Sequence, residues 1–97
     1  MGHFSDISPQ GAGQRGLWRL MLKLPAIRGG LQLLIAKRPS LVELCQAYED
    51  ACVTLQRLRA EPGDVNCPRI REYETICLEI ETEVIACCLE FKASHDQ

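Results

Sequence analysis

The residues with the most chemistry to offer in this 97-residue chain are its six cysteines. Cys45 and Cys52 lie one heptad apart, so on a helix they share a face, and Cys77 and Cys87 fall on a second periodic stripe that would face them. Thiolates gathered between facing helices suit a soft metal ion such as Zn or Cu(I), or thiol redox chemistry. Cys45, Cys52, Cys77 and Cys87 are therefore the candidate ligands of a metal-binding or redox protein. Against the metal stand the lack of a C-x-x-C pair and the placement of His3 and His95 near the two ends. Cys87 and Cys88 are adjacent and diverge by about 100° on a helix, so both cannot easily face one ion. Buried cysteine also serves as a small hydrophobe. Inert packing is the favoured expectation, with no metal and no cofactor.

Other chemistries find less support. Glu72, Glu74, Glu79, Glu81, Glu83 and Glu90 line the last periodic segment, but a carboxylate di-metal site also needs a Glu-x-x-His pair, which is missing. A solvated acidic face is the expectation for them. A Cys-His nucleophile would need His3 or His95 to fold onto a buried thiol from an end of the chain. The glycines of Gly11-Ala12-Gly13-Gln14-Arg15-Gly16 superficially match G-x-G-x-x-G, but they follow no strand and belong to no βαβ unit. No catalytic residue is assigned, and the chain is expected not to be an enzyme.

The elements that would position these residues are helical. Apolar residues make up 46% and aromatics 5%, which points to an aliphatic helical core rather than a β-sandwich. Residues 1–14 hold Pro9 and three glycines (Gly2, Gly11 and Gly13) among polar residues, and are expected to be a flexible tail. Residues 15–38 form a basic amphipathic helical segment, with Leu17, Leu20, Met21 and Leu24 at helical spacing and Pro25 as a break. The Gly29-Gly30 pair weakens its second half and is a candidate turn between two short helices. Residues 39–93 are expected to form an antiparallel αα-hairpin. Ser40 and Glu43 spell a capping box at its start, and the cluster 61–67 supplies the turn. Pro68 suits the first turn of the second helix, whose 3-4 register runs through Ile70, Tyr73, Cys77, Ile80, Val84, Cys87 and Phe91. Pairing about the turn sets Cys52 opposite Cys77, Tyr48 near Ile80 and Cys45 near Val84, to within one helical turn. Residues 94–97 are expected to fray.

Charge divides the chain. The net charge of −2 combines +5 over residues 1–40 with −7 over residues 41–97. The basic arm (Arg15, Trp18, Arg19, Lys23, Arg28, Lys37 and Arg38) either packs on the acidic hairpin, with Trp18 as a core anchor, or meets a protein partner or an anionic membrane surface. Nucleic acid is not expected, since no base-reading motif is present. No apolar run near the N-terminus reaches the ~20 residues of a membrane span, and no signal-peptide pattern is found there, so a cytoplasmic protein with reduced thiols is expected.

The stripe on the second helix is wider than one partner helix covers. Leu41, Tyr48, Leu55, Ile70, Tyr73, Ile76, Ile80, Val84, Ile85 and Phe91 form the candidate interaction surface. Leaving large members of that set in water costs on the order of 1.5–3 kcal/mol each. The favoured expectation is an all-α homodimer in which two hairpins complete a helical bundle, because the Gly29-Gly30 interruption makes the arm a poor lid. The function that follows is non-enzymatic helix–helix association in an adaptor or regulatory role.

Overall fold

Four α-helices and one 3₁₀ turn make up the computed structural model, which describes residues 9–61, Gly63 and 67–95. They are α1 (Pro9–Lys23), the 3₁₀ turn Pro25–Ile27, α2 (Arg28–Lys37), α3 (Leu41–Ala60) and α4 (Pro68–His95). No strand occurs among the described residues.

Prolines place the breaks. The ring of a proline crowds the residue before it out of the helical region. Leu24 (φ −124°, ψ 66°), Arg38 (φ −127°, ψ 84°) and Glu61 (φ −72°, ψ 137°) each precede a proline and each leave the helix. Pro68 instead opens α4, at a position whose N–H would have no helical partner.

The start of α3 departs from the expected capping box. Ser40 has helical dihedrals (φ −61°, ψ −20°), and its side chain makes no capping bond. The N–H groups of Leu41, Val42 and Glu43 donate instead to the carbonyls of Arg38, Pro39 and Ser40 at 3.0, 3.0 and 3.2 Å. Three successive i→i−3 turns satisfy the donors that the serine would otherwise have served.

The N-terminal half differs most from expectation. Helix α1 begins at Pro9, so residues 9–14 are helical rather than part of a flexible tail, while residues 1–8 lie outside the described residues. Each helical glycine costs about 1 kcal/mol relative to alanine, and packing of a helix face has to offset that. Here it does so by close approach. A Cβ added at Gly16 would sit 1.9 Å from the Cys45 carbonyl oxygen, and one at Gly13 would sit 2.8 Å from Val42 Cγ1. Glycine lets the α1 backbone lie directly on α3, and these two helices share the most extensive contact in the molecule.

The Gly29-Gly30 pair is not a turn. Both residues lie inside α2, with open space around them, and α2 still delivers Leu31 and Leu34 to the fully buried core. Leu20, Val84 and Cys45 join them there. Helix α2 packs on α4, and α1 on α3, so the N-terminal helices cover apolar surface of the two long ones. Trp18 is no anchor: it is 52% exposed, because Leu17 and Leu20 take the inward face of α1.

At the other end, α4 continues through Ser94 to His95, and residues 96–97 lie outside the described residues. No described helix is long and apolar enough to cross a membrane.

Candidate functional site

Two clusters combine burial with polar chemistry, and both form where α1 meets the two long helices. The first is built on Glu49, which is 5% exposed on the flank of α3 that faces α1. Arg15 and Arg19 are four residues apart, so successive turns of α1 aim both guanidinium groups at it. Arg15 Nε donates to Glu49 Oε2 at 3.0 Å, and Arg19 Nε donates to Oε1 at 2.6 Å. Burial alone would raise the Glu49 carboxyl, but the bonds from Arg19 and Arg15 outweigh it and hold the carboxyl below its ordinary value. The Arg19 guanidinium loses solvent and gains Glu49, and the carboxylate prevails, raising its pKa. This cluster is a charge-paired clamp between α1 and α3.

The second cluster lies in a cleft of about 430 Å³ between the C-terminal turn of α1 and the α3 and α4 faces. Arg19 and Lys23 form the α1 wall; Tyr48, Cys52, Leu55, Gln56 and Arg59 form the α3 wall; Glu74, Cys77, Leu78 and Glu81 form the α4 wall. Cys52 Sγ and Cys77 Sγ approach to 4.0 Å across it. One turn towards the α3 N-terminus, Tyr48 donates its hydroxyl proton to Glu81 Oε2 at 2.5 Å. Near the other end, Arg59 Nη2 donates to Glu74 Oε2 at 2.6 Å, with both side chains about half exposed. These three contacts take higher numbers on α3 to lower numbers on α4, so the two helices run in opposite directions past each other.

Two groups in this cleft, Cys77 and Tyr48, hold their protons more tightly than usual. Burial, with Cys52 beside it, pushes the Cys77 thiol up to about 11. Burial and its bond to Glu81 push the Tyr48 phenol above its ordinary value. Outside the cleft, burial pushes Cys45 up to about 11 and also raises Cys88.

Of the four cysteines proposed as a set, Cys52 and Cys77 meet, while Cys45 is enclosed at the α1–α3 contact and Cys87 is half-buried elsewhere on α4. Cys88, rather than Cys87, is the buried member of that adjacent pair. The described residues contain no group of three His, Cys, Asp or Glu side chains placed to hold a metal ion.

The residues expected to form an interaction surface divide between core and flank. Leu41, Tyr48, Leu55, Ile80 and Val84 are buried in the monomer, and Ile70, Tyr73, Ile76, Ile85 and Phe91 are half-buried. On the basic arm, Arg15 and Arg19 turn inward to Glu49, whereas Lys23, Arg28, Lys37 and Arg38 are exposed. Sequence reasoning overlooked Glu49 itself. Its signal was a carboxylate placed between Cys45, Tyr48 and Cys52 on an apolar stripe, matched by two arginines at i, i+4 on another helix.

Large apolar side chains also remain in water: Leu22 at 81%, Leu78 at 62%, Leu33 at 61% and Leu89 at 58%. Leu78 and Leu89 share one face of α4 with the half-buried Ile85, at spacings of seven and four residues. This second stripe lies to one side of the residues that α4 buries.

Comparison with known proteins adds no relative: no family model, no curated protein and no solved structure matches the chain.

Proposed function

We propose that this protein is a small non-enzymatic helical protein that acts by helix–helix association, with a second copy of the chain as its partner and α4 as the contact. One observation carries the reading: the exposed Leu78 and Leu89 align with Ile85 at heptad spacing along α4. Scattered exposed leucines are ordinary, but a row on one helix face is an unpartnered seam. The row is also self-complementary. A two-fold axis near Glu83 and Val84 would set Leu78 of one antiparallel copy against Leu89 of the other. Such pairing is isologous and closes at two copies. A regulatory or adaptor role is what such association would serve.

The test is sedimentation of the full-length protein in reducing buffer, beside a Leu78→Glu/Leu89→Glu variant. The reading expects a concentration-dependent dimer that the double variant abolishes while its helical circular dichroism is unchanged. A wild-type protein that stays monomeric at high micromolar concentration overturns it, as does a variant that dimerises as well as wild type.

A further inference from the structure

We infer that Cys52 and Cys77 form a redox modification site, a dithiol that a low-molecular-weight disulfide converts into a single bond between α3 and α4. This goes beyond the association reading and does not depend on it. Three features of the cleft support it. First, the two sulfurs are already 4.0 Å apart on facing helices, close to van der Waals contact. A disulfide needs about 2.05 Å, so the two sulfurs have about 2 Å left to close. Second, the pair lies on the walls of a cleft of about 430 Å³ that is open to solvent, large enough for the sulfur-bearing end of a small peptide disulfide. Third, the two thiols are unequal in access. Cys52 is half-buried beside Arg19 on the cleft wall, whereas Cys77 is buried with only 8% exposure. The raised Cys77 thiol is the poorer first attacker, since the thiolate is the nucleophile.

The order of events follows. Cys52 gives its proton to solvent, and its thiolate attacks one sulfur of oxidised glutathione. That S–S bond breaks, a glutathione thiolate leaves and takes up a proton, and Cys52 carries the mixed disulfide. Cys77 then gives up its proton and attacks Cys52 Sγ. The mixed disulfide breaks and releases the second glutathione, which is protonated in turn. Two cysteine thiols are oxidised by two electrons to one disulfide, and one oxidised glutathione is reduced to two thiols. The remaining cysteines stand apart from this cleft: Cys45 behind the α1 backbone, Cys88 buried, Cys87 and Cys67 half-buried elsewhere.

The consequence is a covalent clamp across the cleft. It closes a loop of about 25 residues and restricts the unfolded chain, so the oxidised protein should melt about 10 °C higher than the reduced one, reversibly with dithiothreitol.

The experiment incubates dilute full-length protein with a graded ratio of oxidised to reduced glutathione. The reaction is quenched in acid, free thiols are alkylated, and peptides are mapped by mass spectrometry. Wild type should lose two thiols together and yield a Cys52–Cys77 cross-linked peptide. Cys77→Ser should stop at a glutathione adduct on Cys52. Cys52→Ser should acquire an adduct at Cys77 at least tenfold more slowly. The wild-type map alone decides the matter if either variant is misfolded. A dominant disulfide between any other pair overturns the proposal, as does an intermolecular product at low protein concentration. So does a Cys52 that reacts no faster than Cys67 or Cys87 and never passes its adduct to Cys77. Because Leu78 lies on the same cleft wall, the dithiol is read in protein with wild-type α4 at low concentration and the dimer by sedimentation in reducing buffer, so the two failures are read separately.

Discussion

Replacing Gly16 with alanine is the sharpest probe of how α1 sits on α3. In an unpacked helix the change should help, since alanine is favoured over glycine by about 1 kcal/mol. At Gly16 the new methyl group would lie 1.9 Å from the Cys45 carbonyl oxygen, where ordinary contact begins near 3.4 Å. Its nearest neighbours are all backbone atoms of Cys45, so no flexible side chain can swing away. The helices must separate locally by about 1.5 Å, which loosens contacts around Leu17 and Leu20 and strains the pair of bonds to Glu49. Overpacking a well-packed interior costs typically ~1–3 kcal/mol, and an immovable neighbour puts this site at the upper end. The net loss should be about 2 kcal/mol or more, a large share of the 5–15 kcal/mol that holds most domains together. Gly29→Ala is the matched control, because nothing lies within 4 Å of a Cβ there. It should stabilise by about 0.5–1 kcal/mol. Urea unfolding followed by circular dichroism, with thiols kept reduced, measures both. If Gly16→Ala stabilises the protein as Gly29→Ala does, α1 does not lie against α3 and the account of the fold fails.

Two further outcomes follow from the buried ionisable groups. Glu49→Gln should cost about 2 kcal/mol, since two arginines lose a charged acceptor. Because the folded carboxyl titrates below its ordinary value of about 4.3, the Glu49 contribution is present above that value and disappears as pH falls through the folded one. Urea midpoints between pH 6 and pH 3 should therefore fall more steeply for wild type than for Glu49→Gln, and parallel curves would remove the clamp. At the alkaline end the sign reverses. Cys45 and Cys77 are raised from 9.0 to about 11, so their contribution is intact below pH 9 and is lost as pH climbs through about 11. Thermal midpoints in reducing buffer should drop over that window, and a Cys45→Ala/Cys77→Ala variant should show a flatter curve; equal slopes would contradict the burial of those thiols.

How much of this was legible from residue order alone depends on whether the deciding interaction was local. The breaks at Leu24, Arg38 and Glu61 were readable because a proline acts on the residue beside it. The facing of Cys52 and Cys77 was readable because two regular helices and a short connection leave little freedom of register. The capping box was misread because backbone carbonyls three residues earlier accepted from the same N–H groups first. Residues 9–14 were misread because glycine has two meanings. It marks a loop by its conformational freedom, and it marks a helix contact by its missing Cβ. Only the position of Cys45 and Val42 across from Gly16 and Gly13 decides between them, and that position is set by the tertiary fold. The Glu49 clamp fell out of reach for the same reason, its partners being 30 and 34 residues away.

The charge division of the chain also resolves differently from either expectation for the arm. It is neither wholly a lid nor wholly a free surface. Arg15 and Arg19 point into the fold and hold α1 on Glu49, and the backbone beside them is pressed onto α3. Lys23, Arg28, Lys37 and Arg38 point outward, in company with the exposed Leu22 and Leu33. The same segment therefore carries structural cations on one face and solvent-facing cations on another. Deleting residues 1–38 would remove Leu20, Leu31 and Leu34 from the core together with all six basic side chains, so any lost binding would report unfolding rather than recognition. Exchanging Arg28, Lys37 and Arg38 for glutamine leaves the buried leucines and the Glu49 clamp in place. Only that substitution separates what the arm does for the fold from what its outer face offers to an anionic partner.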